Sequence, residues 1–209
     1  MRYYKFPKWL RKLYPGAIWE FFPPEDSQKT IYLTFDDGPN PQTTNWILDL
    51  LAKHQAKATF FCIGKNVEAH PLLFQKLVTA NHQIGNHTYN HMNGLHTNST
   101  AYIKDVEKAQ ALIPSKLFRP PYGRMKPKQH KLLTEKGFKS VFWSHISYDF
   151  DPSLSSAKRM EMTLKRVKNN AIVVFHDSTK AFPQLEHELP LLLDKWTEAG
   201  FSFQAIQTD

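Results

Sequence analysis

One cysteine in 209 residues rules out an internal disulfide, and Cys62 falls inside the apolar run Ala58–Ile63, where a small core residue is expected rather than a nucleophile. No stretch approaches the ~18 apolar residues of a membrane span. No run of Lys and Arg reaches the ~5–8 residues of a dedicated polyanion patch. Residues 1–22 interleave Lys5, Lys8, Arg11 and Lys12 with aromatics and so lack the apolar core of a secretory signal, which makes the cytoplasm the expected location. Internal repeats and low-complexity tracts are also missing. The chain has 27 Lys and Arg against 19 Asp and Glu, a formal charge of +8. Such an excess favours acidic partners, among them nucleic acid, an anionic glycan or a membrane surface. Without a concentrated patch it reads as a solvated basic surface, and no nucleic-acid partner is expected.

Forty-one per cent hydrophobic residues suit one globular domain. Residues 1–29 differ in being dense in aromatics, basic residues and proline (Pro7, Pro15, Pro23, Pro24). Trp9, Leu10, Leu13 and Tyr14 have roughly helical spacing, so a short amphipathic helix is expected after Pro7. This arm is expected to pack on the domain; contact with a membrane through residues 1–22 is the alternative. From Thr30 to residue 209, β-like runs alternate with amphipathic segments. Strands are expected at Thr30–Phe35, Ala58–Ile63, Gln83–Thr88, Leu117–Pro120, Ser140–Ile146, Ala171–His176 and Phe201–Ile206. Helices are expected at Thr43–His54, Pro71–Ala80, Thr100–Leu112, Lys128–Lys136, Ala157–Lys168 and Gln184–Ala199, with Gly137 and Gly200 as left-handed C-terminal caps. That alternation implies an α/β fold on a parallel sheet, either open or closed into a barrel.

Reactive residues fall at the ends of these strands. Asp36 and Asp37 follow the first, His87 the third, Arg119 the fourth and His176 the sixth. Parallel strands deliver their C-terminal ends to one face, where α/β folds place their sites. Adjacent carboxylates leaving a strand point different ways, so one can hold a cation while the other takes a proton. His87 and His91, four apart, can face one way if the segment turns helically. With Asp37 they make a 2-His-1-carboxylate set suited to Zn²⁺, Fe²⁺ or another divalent ion. Trp143, Asp149 and Asp151 lie on the fifth segment, and His145 reads as structural.

These residues resemble the polysaccharide deacetylases of carbohydrate esterase family 4, the NodB-homology domain, from about Thr30 to the C-terminus. Five ordered motifs carry the likeness: Thr34-Phe35-Asp36-Asp37-Gly38-Pro39, His87-Thr88-Tyr89-Asn90-His91, Arg119-Pro120-Pro121-Tyr122-Gly123, Asp149-Phe150 and Val174-Phe175-His176. The resemblance implies a distorted (β/α) barrel of about seven parallel strands. It implies an enzyme that hydrolyses N-acetyl groups of N-acetylglucosamine-type residues in a polysaccharide or oligosaccharide. Asp37, His87 and His91 would hold the metal, zinc or another divalent ion such as Co²⁺. Asp36 would be the general base and His176 the general acid, oriented by Asp149. Arg119 would fix the neighbouring carboxylates, and the Tyr122 amide would face the oxyanion. Pro121, Phe150 and Val174 would line the substrate pocket. Ile146 stands where many relatives have Asp, Phe150 where Trp is usual and Val174 where Leu is usual, so the substrate wall can differ. Two other readings stay open: an amidase acting on a non-sugar amide or imide, and a catalytically silent glycan-binding relative.

Overall fold

The computed structural model describes residues 7–22 and 28–207. Its strands are β1 (Thr30–Asp36), β2 (Ala58–Cys62), β3 (Gln83–Asn86), β4 (Leu117–Phe118), β5 (Lys139–Ser140), β6 (His145–Ile146), β7 (Ala171–His176) and the short β8 (Ser202–Phe203). Seven run parallel in the order β5-β4-β3-β2-β1-β7-β6, and β8 pairs with the start of β1. The sheet curls into a half-barrel, in line with the expected barrel of about seven parallel strands. Helices α1 (Lys8–Arg11), α2 (Thr44–Lys53), α3 (Gly64–Ala69), α4 (Pro71–Thr79), α5 (Ser99–Gln110), α6 (Pro127–Glu135), α7 (Ser156–Arg166) and α8 (Phe182–Glu198) complete the element order.

The central strands are apolar on both faces because helices cover one side and the curl encloses the other. Alternation along β1 divides its side chains between two cores. Ile31, Leu33 and Phe35 join Phe60, Phe175, Leu189 and Trp196 on the helix side. Thr34 and Asp36 point to the inside of the curl, among Phe61, Phe118, Phe142 and Val174. Asn98 caps α5, its side chain accepting from the Thr100 amide at 2.8 Å. Gly137 and Gly200 adopt φ of 81° and 80° just past α6 and α8, the left-handed C-caps expected of them.

The expected strand Ser140–Ile146 is two strands. Between β5 and β6 the chain leaves the ladder, and Val141 bridges instead to Ile18 of the N-terminal arm. The fourth strand stops at Phe118 instead of Pro120, since Pro120 and Pro121 have no amide to extend a ladder. The last strand shrinks to Ser202–Phe203, and α3 was not expected at all; six residues with a single buried valine carry too little periodicity to read.

Described residues of the arm lie on the domain. Ile18 donates to Ser140 O at 2.9 Å and accepts from Phe142 N at 2.8 Å. Tyr14 Oη donates to Met125 O at 2.7 Å. Trp19 stacks on Phe142 with ring centroids 4.1 Å apart. No described helix is long and apolar enough to cross a membrane. Trp19→Ala should lower unfolding free energy by about 3–5 kcal/mol, as large aromatic deletions do in packed cores, read from urea denaturation. An unchanged midpoint would show that the arm is not integral to the fold.

Candidate active site

The C-terminal ends of β1, β3, β4 and β7 open into a cavity of about 670 Å³ lined in part by Asp36, Asp37, His87, His91, Tyr122, Trp143, Ile146, Phe150 and His176. Strand register creates much of it. Asp36 is the register partner of His176 on β7 and of Phe61 on β2, so neighbouring parallel strands, ~4.8 Å apart, set the two polar side chains side by side.

Asp36 is 4% exposed and Arg119 fully buried. Arg119 Nη1 donates to Asp36 Oδ1 at 2.8 Å and to Thr34 Oγ1 at 2.6 Å. Its Nε and Nη2 donate to the carbonyls of Val141 and Phe142, at 3.2 and 3.1 Å. The guanidinium also lies over the Phe61 ring, 4.1 Å from its centroid. One cation therefore ties β1 and β4 to the segment between β5 and β6.

Asp37, His87 and His91 place their ligand atoms within 4.8 Å of one another. Asp37 Oδ1 is 3.2 Å from His91 Nε2 and 3.7 Å from His87 Nε2. That oxygen is buried without an aligned hydrogen-bond donor, an unsatisfied state that a cation would relieve. His87 Nδ1 sits 2.8 Å from Arg119 O, which can only accept, so Nδ1 carries the proton and Nε2 offers its lone pair toward Asp37. Burial pushes the His87 imidazole down to about 4 despite nearby Asp36, keeping it neutral as a metal ligand must be. Burial works against ionisation of Asp37, but His91 and the imidazolium of His176 outweigh it and hold the carboxyl below the usual range. The donor set fits a divalent metal.

The His87–His91 segment is not the helical turn that the spacing allowed. It is an irregular loop with φ of 64° at Thr88 and 55° at His91, and it brings the two rings to 5.1 Å. Asp105 on α5 holds it open by accepting from the amides of Tyr89 and Asn90 at 2.8 and 2.9 Å. The Asn86 side chain accepts from Thr88 N at 2.8 Å. On the other side, Asn66 donates to Asp37 O at 2.7 Å. Asp177 accepts from Thr43 and Thr44, while its amide donates to Asp36 O at 2.7 Å. A Cβ at Gly38 would run into the Asp177 carboxylate, which explains a glycine after the aspartate pair. Sequence reading missed Asn66, Asn86, Asp105 and the buttressing role of Asp177. The available signal was an acid on an otherwise buried helix face, visible only once Asp105 is known to point inward.

His176 Nδ1 lies 2.7 Å from Asp149 Oδ1, and Asp149 Oδ2 accepts from the His176 amide at 2.8 Å. Burial disfavours the imidazolium, yet Asp149, with Asp37 and Asp36 behind it, raises His176 to about 9. Nε2 is left to the cavity as a protonated donor at neutral pH. Phe150 packs edge-on to His176 with centroids 4.8 Å apart. Tyr122, at φ 60°, packs on His91 from the opposite wall at 4.6 Å. Asp37, His91, Tyr122 and Tyr148 all line the cavity with positive φ, a clustering of backbone strain typical of functional sites. Pro121 and Val174 are not among the lining residues. Val174 is fully buried beside its register partner Ile146, and Ile146 and Trp143 line the cavity. His145 is buried away from the cavity against Thr163, 3.0 Å away.

A family model described as polysaccharide deacetylase matches residues 24–141. A peptidoglycan-N-acetylglucosamine deacetylase of Bacillus cereus is 32% identical over 189 residues, covering 87% of this chain and 88% of the relative. A chitooligosaccharide deacetylase of Azorhizobium caulinodans is 31% identical, covering 72% of this chain and 75% of the relative. The crystal structure of the Bc1960 peptidoglycan N-acetylglucosamine deacetylase, bound to 4-naphthalen-1-yl-N-oxidanyl-benzamide, superposes with a TM-score of 0.81 at 30% identity. That match covers 95% of this chain and 93% of the other.

Arg119→Leu would leave Asp36 buried and unpaired, at a cost of about 3–5 kcal/mol. Adding Asp36→Asn should recover part of that loss. Urea denaturation of the single and double variants checks the coupling.

Proposed function

Because the chain belongs to the polysaccharide deacetylase family, we propose that it hydrolyses N-acetyl groups from an N-acetylglucosamine-type oligosaccharide or polysaccharide, releasing acetate. The observation that carries this reading is the meeting of three groups at one cavity: the Asp37–His87–His91 trio, Asp36 held by Arg119, and His176 held by Asp149. A divalent cation bound by the trio, Zn²⁺ or Co²⁺, would supply Lewis acidity that polarises a carbonyl and acidifies water.

The residues of the chain do the rest. Asp36, anchored through one oxygen by Arg119, takes a proton from the attacking water with the other. The Tyr122 amide, on a turn with positive φ, faces the developing oxyanion. His176 delivers its Nε2 proton to the departing nitrogen, which becomes the free amine as the C–N bond breaks. Asp149 fixes the ring so that Nε2 carries this proton into the cavity. Trp143, Ile146 and Phe150 give an apolar wall for the acetyl methyl and sugar face, with Val174 packed beside Ile146. The set of metal ligands, base and acid is complete, which favours an enzyme over a silent glycan-binding relative.

Acetate release from an N-acetylglucosamine tetramer, lost with chelator and restored by zinc or cobalt, is the expected result. Asp36→Asn should keep its bound metal and lose about 10²- to 10⁴-fold in turnover. Release of ammonia or ring-opened product from cyclic imides, with none from the tetramer, would favour the amidase reading instead.

The acid must be protonated, so kcat falls as pH rises through the pKa of His176. Since Asp149 raises that pKa, Asp149→Asn should move the alkaline limb of the kcat profile to lower pH. An unmoved limb would remove His176 from the acid role.

A further inference from the structure

Two cations stand at the cavity mouth. Arg124 and Lys180 both line the cavity and are solvent-exposed. Neither has a carboxylate partner among the described residues. Lys180 Nζ sits 5.7 Å from the Phe150 centroid, and Phe150 in turn packs on His176, so this cation lies two contacts from the proposed proton donor. Arg124 follows the Tyr122 turn and anchors the opposite wall, its carbonyl accepting from Gly94 N at 3.1 Å. Among the described residues the only lining acids are Asp36 and Asp37; Asp36 is matched by Arg119 and Asp37 belongs to the metal-ligand trio. The mouth thus presents an unbalanced positive field.

The placement of these cations is set by topology. Arg124 follows β4 and Lys180 follows β7, with β3, β2 and β1 between them. At ~4.8 Å per strand, β4 and β7 are ~19 Å apart along the curled sheet, so the two cations enter the cavity from different sides. The Asp37–His87–His91 trio follows β1 and β3, whose ends lie between those of β4 and β7. A glycan with its acetamido group at the trio therefore runs toward one cation on each side.

We infer that Arg124 and Lys180 select an acidic glycan, one bearing carboxylates or phosphates on or next to the sugar that is deacetylated. This rests on the deacetylase reading and narrows it to anionic acetamido glycans over neutral ones. The two residues act as specificity determinants that bind substrate away from the reacting atoms.

The test compares kcat/KM of the metal-loaded full chain on three substrates. They are the neutral N-acetylglucosamine tetramer, a tetramer in which alternate sugars carry a lactyl carboxylate, and an acetamido disaccharide 1-phosphate. An acidic substrate should be preferred, mainly through KM, and which one identifies carboxylate or phosphate as the anion. Lys180→Gln and Arg124→Gln should each cut the acidic-to-neutral ratio about three- to fivefold, the upper range for exposed ion pairs. High salt should erode the ratio in the wild type, because the pairing is solvent-exposed. Equal kcat/KM on all three overturns the inference alone. So does a preference that survives the double substitution. Acetate release from none of them would instead sink the deacetylase reading, and the inference with it. A loss of folding cannot mimic the expected result, because it lowers both rates and leaves their ratio unchanged.

Discussion

A fully buried guanidinium sets the terms for the rest of the molecule. Arg119 cannot be deprotonated at any working pH, and enclosed in the curl of the sheet it needs an anion and enough acceptors to fill its fork. Asp36, Thr34 and the carbonyls of Val141 and Phe142 supply them. Those partners come from the first strand and from the segment beyond the fifth, so satisfying one side chain requires the sheet to curl. The same contact leaves one carboxylate oxygen committed and its twin available. The curl of the sheet and the orientation of Asp36 are thus answers to a single electrostatic requirement.

Around that centre the backbone is held where it would not rest unaided. Asp37, Thr88, His91, Tyr122 and Tyr148 occupy left-handed conformations that cost of order 1–3 kcal/mol each in a non-glycine residue. Backbone hydrogen bonds accepted by Asp105 and Asn86 and donated by Asn66 offset this at Asp37 and along the 87–91 loop. The protein's own hydrogen bonds thus bring Asp37, His87 and His91 within 4.8 Å of one another.

Much of this was legible in the sequence, and what was not has identifiable causes. Long apolar runs such as 30–36 and 171–176 announce central strands because both faces are buried. The five ordered motifs pointed to the family, and each places a residue at one cavity: Asp36, His87, Tyr122, Phe150 and His176. Two-residue strands such as Leu117–Phe118 lie below the length at which periodicity carries information. The break in Ser140–Ile146 depends on Ile18, a residue more than a hundred positions away, taking over the pairing at Val141. Support from Asp105 and Asp177 was hidden for a similar reason: an acid among polar neighbours reads as surface until the fold turns it inward. Val174 is fully buried, while Ile146, its neighbour on the next strand, lines the cavity.

The pairing of Asp36 with His176 across the first and seventh strands has a bearing on how such a site can change. Their relative position is written into a hydrogen-bonded ladder in which a slip of one residue would turn Asp36 out of the curl altogether. The walls bearing Tyr122, Arg124, Phe150 and Lys180 hang from loops that take no part in that ladder. Chemistry and recognition are accordingly separable modules. Loops can be exchanged, lengthened or recharged to reshape the cavity walls while Asp36 and His176 stay where the sheet has put them.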